Sequence, residues 1–240
     1  MSYLWEQLRG AIPLIAHGDP YVMGLLWVTI RVAIVSTAAA LVIGLPIGLA
    51  LGLGRFRGRR ALQILANVSL ALPPVVVGIA VLLLLLPQGA LGSLQIEFSL
   101  RAVYIVQTVL ALPYVVALTP AAIQGLPPGL LAQARALGAG RVQLSTLALR
   151  EARIGVFAAV IAAMAATISE VAAAVIDGGN FQGHDETLAS ALLEQFNYTA
   201  HEPYASAIAL VLLALIVVLV GLLTVLQQRS GGIRLRFRTT

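Results

Sequence analysis

Between Arg31 and Arg55 the chain carries no charged side chain, reading VAIVSTAAALVIGLPIGLALGLG. At 1.5 Å per residue, a helix of that length exceeds the roughly 30 Å hydrocarbon thickness of a bilayer. Comparable runs recur along the chain, and the mean hydropathy is +0.96. Charged residues make up 10% of the sequence, where a soluble domain carries about 25%. The sequence therefore predicts an all-α integral membrane protein, one domain over residues 1–240.

Five spans are expected, at about 21–53, 61–86, 102–124, 154–176 and 204–226, with a polar connection over about 125–153. The first is long enough to tilt or kink near Gly44–Pro46; the second contains Pro73 and Pro74, and the third Pro113. Ahead of them, Trp5, Leu8, Ile12 and Ile15 recur at helical spacing, which suggests a short helix lying in the membrane interface. The first twenty residues lack the basic start and apolar run of a signal peptide.

Arginine placement sets the expected orientation. Arg55, Arg57, Arg59 and Arg60, then Arg135, Arg141, Arg150 and Arg153, then Arg229, Arg234, Arg236 and Arg238 fall on one side of a five-span chain. Glu6, Asp19, Glu97, Asp177, Asp185, Glu186, Glu194 and Glu202 collect on the other. The N-terminus is thus expected outside and the C-terminus in the cytoplasm. The net charge of +5 is read as attraction to anionic lipid headgroups; nucleic acid is not expected, because basic and aromatic residues do not interleave.

Cysteine is absent, which excludes disulfides and thiolate metal sites. All fifteen basic residues are arginine, so a phosphate-binding loop ending in Lys is impossible. Any ATP hydrolysis belongs to another chain. Five helices enclose little polar volume and cannot form two equal inverted halves, so a solute path requires a second copy of the chain.

The segment RALGAGRVQLSTLALREAR, Arg135 to Arg153, stands apart in this apolar context. Leu130, Leu131, Ala134 and Leu137 form one apolar face, Gly138 and Gly140 break the helix, and a second helix starts at Arg141. Such a stripe, unburied by its own chain, suits a groove on a partner. The alternative is an amphipathic connector lying on lipid.

Four stretches then occur in order: LALPPVVVGIAVLLLLL, VQTVLALPYVVALTPAAIQGL, LREAR and SEVAAAVIDGGNFQG. Together they resemble the tungstate-type permease subunits of bacterial ABC importers, within the molybdate, tungstate and sulfate oxyanion group. In that family's cytoplasmic loop the pattern is Glu-Ala-Ala, three residues, then Gly. Anchored on Gly138, it places Ala132, Gln133 and Ala134 on the first three positions, with identity at Ala134 and Gly138. The resemblance implies that Ala132, Gln133, Ala134, Arg135, Gly138 and Arg141 couple the chain to an ATPase. It further implies two identical ATPase subunits holding ATP and Mg2+, a homodimeric permease, an extracytoplasmic solute-binding protein, and location in the bacterial cytoplasmic membrane. No cofactor, metal or catalytic residue is expected in this chain.

Pro73, Pro74, Pro113, Thr167, Ser169, Gly178, Gly179 and Asn180 are the candidates for the translocation path or its gate. Kinks at the prolines would open a vestibule, or else merely improve packing. Gly178-Gly179-Asn180 either frees amides for a ligand or forms a helix cap and turn. Thr29, Ser36 and Thr37 read as packing groups, and His17, His184 and His201 as surface residues without metal-ligand spacing. Glu170 is the sole carboxylate inside an expected span, where charge is costly. It is expected to pair with Arg31, the competing arrangement being a protonated Glu170 with Arg31 reaching the outer headgroups. An intramembrane enzyme using Glu170 and a histidine, or a scaffold without transport, are the rival classes.

Overall fold

Asp19 starts the longest helix among the described residues: its side chain accepts from the backbone amides of Tyr21 and Val22 at 3.0 and 3.2 Å, and Pro20 occupies the first turn. The computed structural model describes residues 2–196 and 202–231. Within them the chain is helical: α1 (Ser2–Ala16), α2 (Pro20–Leu53), α3 (Arg59–Ser69), α4 (Pro74–Leu85), α5 (Leu100–Gln124), α6 (Leu130–Ala136), α7 (Arg141–Glu151), α8 (Arg153–Ser169), α9 (Ala172–Gly178), α10 (Leu188–Glu194) and α11 (Glu202–Gly231). A single 3-10 turn covers Gly92–Leu94. The expected interfacial helix is α1, which packs by Ala11 and Gly10 against α11.

Among the described residues three helices are long and apolar enough to cross a membrane: α2, α5 and residues Pro203–Leu222 of α11. Two further pairs reach that length only together, α3 with α4 and α7 with α8, bent by 103° and 73°. The second expected span is therefore not one helix. Leu72 and Pro73 each precede a proline, which disfavours helical backbone, and Pro73 is extended at φ −62°, ψ 124°. The fourth is interrupted as well: Glu170 is extended between α8 and α9. Pro46, Pro113 and Pro120, by contrast, sit inside unbroken α2 and α5.

Helices α2 and α5 run side by side along a glycine seam. A Cβ at Gly44 would lie 3.0 Å from Val115, one at Gly48 2.7 Å from Thr119, and one at Gly52 2.6 Å from the Ile123 Cδ1. The constant offset of these pairs makes the two helices parallel. Helix α8 lies across both, through the Ala40–Ala111–Val115–Ala163 cluster and Gly155 against Ala122. Helix α9 packs Ala173 against Gly78 of α4 and Val106 of α5.

At the acid-rich end, the segment before α10 folds inward. Leu188 N donates to Thr29 Oγ1 at 2.8 Å, and the Tyr21 hydroxyl donates to Glu186 Oε1 at 2.9 Å. Burial pushes the Glu186 carboxyl up to about 7; the Tyr21 hydrogen bond opposes the rise, and the Glu194 and Asp185 charges add to it. A folded-state pKa above the ordinary value of about 4.3 favours the neutral acid in the native state. Its stabilising effect is complete below the ordinary carboxylate range and is lost as pH rises through about 7.

Two outcomes follow for the purified chain in detergent. Gly48→Ala should cost roughly 1–3 kcal/mol through overpacking against Thr119, whereas Gly24→Ala, with nothing within 4 Å of its Cβ, should not; equal melting temperatures would refute the seam. The melting temperature should also fall between pH 5 and pH 8, and Glu186→Gln should flatten that fall. An unchanged slope in the variant would mean that Glu186 is not the group responsible.

Candidate functional site

The polar segment between α5 and α8 forms an exposed elbow. Gly129 opens α6 at φ +89°, and Gly138 closes it at φ +87°, a backbone region costly for any side chain. The turn is fixed by Gly138 N to Arg135 O and Ala139 N to Ala134 O, both 3.0 Å. Gln143 then reaches back, its Oε1 accepting from Gly140 N at 2.8 Å. Ala132, Gln133, Arg135, Gly138 and Arg141 are exposed, and Ala134 is half-buried. Leu137 and Val142 are 89% and 79% exposed, and both lie outside the expected spans.

The apolar stripe of α6 is not wholly free, as the sequence pattern suggested. Leu131 packs with Leu126 against the Ile123–Ala148–Ala152 cluster, because the Leu126–Gly129 turn folds α6 back onto the ends of α5 and α7. The exposed apolar surface is narrower, centred on Leu137 and the Gly138 turn.

Glu170 and Arg31 do not pair; among the described residues no ion pair joins them. Glu170 Oε1 accepts from Ala173 N at 3.0 Å, so the carboxylate caps the first turn of α9 at the interruption, where backbone amides and the helix dipole favour negative charge. Arg31 lies elsewhere, in a cavity of about 460 Å3 with Phe98, Ser99, Leu100, Phe181, His184 and Asp185. The first turns of α2 stand beyond the start of α5 and pack on α1, α10 and α11, so Arg31 is level with Ser99 and Leu100 rather than deep in the bundle.

Thr167 and Ser169 lie just before this interruption. Thr167 is buried and donates to Met164 O at 2.8 Å, while exposed Ser169 donates to Ala165 O at 3.0 Å. Pro113 lines an apolar cavity of about 350 Å3 together with Leu72 and Val77, which flank the bend at Pro73 and Pro74. Neighbours of the bend in the second expected span and Pro113 of the third thus face one cavity.

Gly178, Gly179 and Asn180 form a helix end, with Gly179 at φ +87° donating to Val175 O at 3.1 Å. The amides that follow are engaged: Asp185 Oδ2 accepts from Asn180 N at 2.9 Å and Oδ1 from Phe181 N at 3.0 Å. The Asn180 amide nitrogen donates to Glu194 Oε2. Asn180 itself is at φ +58°. The cap is therefore what these residues build, and Asp185 is the group that holds it.

Two buried groups escape sequence reasoning. Asp177 is fully buried beside Gly78 with neither carboxylate oxygen hydrogen-bonded, and Gln107 is buried in α5 with both amide atoms unpaired. Gln107 stands among apolar residues in VQTVLAL, which is the signal that could have singled it out. No cluster of three metal-ligating side chains occurs among the described residues.

Residues 44–231 match the family model described as binding-protein-dependent transport system inner membrane component. The chain is similar to the tungstate uptake system permease protein TupB of Peptoclostridium acidaminophilum, 30% identical over 213 residues, or 89% of this chain and 93% of that one. It is 36% identical over 167 residues to a probable anion ABC transporter permease protein of Haloferax volcanii, covering 70% and 72% of the two chains. Among solved structures, an inward-facing MetNI methionine ABC transporter matches with a TM-score of 0.71 at 19% identity, over 88% of this chain and 98% of that one. The chain belongs to the family of binding-protein-dependent transport system inner membrane components.

Proposed function

We propose that this chain is the membrane subunit of an ATP-driven importer that carries a tetrahedral oxyanion into the cell, tungstate in the first place and molybdate or sulfate as alternatives. The observation that carries the reading is the exposed Leu137–Gly138–Val142 elbow, on a chain whose relatives include permeases named for tungstate and for an anion. The chain itself catalyses no reaction. ATP and Mg2+ belong to two ATPase subunits docked under the elbow, and an extracytoplasmic binding protein delivers the anion. Two copies form the path in the bacterial cytoplasmic membrane, with the N-terminus outside and the C-terminus in the cytoplasm.

The mechanism follows from how the elbow is attached. It continues through Ala152 into α8, and α8 packs on both α2 and α5. A push on the elbow therefore moves packed helices as a body, the kind of two-state rearrangement that alternating access needs. Ser169 with Glu170, and Pro73 with Pro74, supply the path-side interruptions, and Pro113 faces the cavity beside the second of them. Because Glu170 is engaged by Ala173 N, its charge is partly compensated, which reduces its repulsion of a passing anion.

Gly138→Val should abolish stimulation of the ATPase and oxyanion uptake while leaving the chain folded, because the +87° φ excludes a β-branched residue. Retention of both activities would refute the coupling role. Single cysteines are clean probes in a chain that has none. Those in α4, α5 and α8 should cross-link two copies efficiently and those in α2 poorly; the reverse pattern would overturn the proposed dimer. Calorimetry of the cognate binding protein with tungstate, molybdate and sulfate should give tightest binding to tungstate, and preference for another solute would reassign the cargo.

A further inference from the structure

A cavity of about 910 Å3 opens where α2 ends, bounded by the Gly54–Phe56 turn, α6 and α7. Three guanidinium groups line it from three separate segments: Arg55 after α2, Arg135 in the last turn of α6, and Arg141 at the start of α7. No carboxylate lines it, and none of the three arginines is ion-paired among the described residues. Arg135 donates to the Leu53 carbonyl at 3.4 Å, a neutral acceptor that leaves its charge uncompensated. Three like charges sharing one cavity repel one another unless an anion lies between them.

The opposite wall is apolar, formed by Pro46, Leu49 and Leu53 on one face of α2 with Phe56 beyond them. That face lies largely away from the Gly44–Gly48–Gly52 seam: Leu49 and Leu53 touch the Ile123–Ala148–Ala152 cluster but stay half-buried, and Pro46 and Phe56 are exposed. A small inorganic oxyanion would satisfy the arginines but leave this wall uncovered and most of the volume empty. An amphiphile satisfies both.

We propose that the cavity binds an anionic phospholipid, its phosphodiester held by Arg55, Arg135 and Arg141 and its acyl chains laid along Leu49 and Leu53. Arginine pairs with phosphate oxygens through charge-assisted, bidentate hydrogen bonds, and basic pockets between membrane helices are suited to anionic headgroups. Such a lipid would tie the end of α2 to the α6–α7 elbow, so that the composition of the leaflet bears on coupling. The proposal rests on the chain spanning a membrane, and not on the identity of the transported solute.

The test is native mass spectrometry of the full-length chain released from detergent, offered phosphatidylglycerol and phosphatidylcholine in equal amount. The wild type should retain phosphatidylglycerol with a preference of about tenfold or more. Arg55→Gln combined with Arg141→Gln should remove that preference, Arg55→Lys with Arg141→Lys should keep most of it, and Arg101→Gln, outside the cavity, should leave it intact. Equal retention of the two lipids by the wild type, or an undiminished preference in the double Gln variant, would overturn the proposal. So would displacement of the lipid by millimolar tungstate or inorganic phosphate, which would assign the cavity to a free oxyanion. A weakened hold on the ATPase without any lipid preference would also overturn it, assigning the arginines to a carboxylate of that partner.

Discussion

The glycine seam between α2 and α5 is the contact on which the rest of the structure depends. In a bilayer, lipid tails solvate apolar side chains as well as a neighbouring helix does, so helix association relies on close packing and on buried polar contacts. Gly44, Gly48 and Gly52 let α5 approach until Val115, Thr119 and Ile123 lie directly against the α2 backbone. Helix α8 then rests on the pair through Ala163. The elbow at one end and the α9 cap at the other inherit their positions from this three-helix unit.

Against that rigid unit, the other feature of the fold is interruption. Backbone groups freed inside a membrane must find partners, and each interruption here has a local solution. At Glu170 a carboxylate accepts from Ala173 N; at the end of α9 Gly179 donates back to Val175 O, and Asp185 takes the next two amides. These are turns closed by side chains from nearby in sequence, so the segments they join can shift as bodies without exposing unpaired backbone. Asp177 and Gln107 are among the side chains that stay buried without partners, and burial of such groups is costly.

Much of this was legible in the sequence where periodicity and composition speak directly. The uncharged runs gave α2 and α5, and the Gly-x-Gly spacing gave the elbow, where Gly138 breaks the helix at positive φ. The Pro73-Pro74 pair signalled disruption, but its size, a 103° bend, depends on what packs around it. The expected Arg31–Glu170 pair fails because Arg31 stands at the level of Ser99 and Leu100. Nothing in sequence shows that the first turns of α2 pack on α1, α10 and α11 beyond the start of α5. Glu170 looked like half of an ion pair because the break in α8 at Ser169 has no glycine or proline to announce it; once the helix breaks, a local amide becomes its partner. Similarly, the role of Asp185 follows from a turn that brings it back to Asn180, a geometry that spacing alone does not fix.

The most direct measurement of the central claim is uptake by proteoliposomes holding this chain, its ATPase and the binding protein. Labelled tungstate, molybdate or sulfate would be supplied outside and ATP inside. The account predicts oxyanion accumulation that requires ATP, the ATPase and the binding protein together, and that is lost in Gly138→Val. Accumulation without ATPase or ATP, or full ATP-driven transport of an uncharged solute with none of the oxyanions, would contradict it.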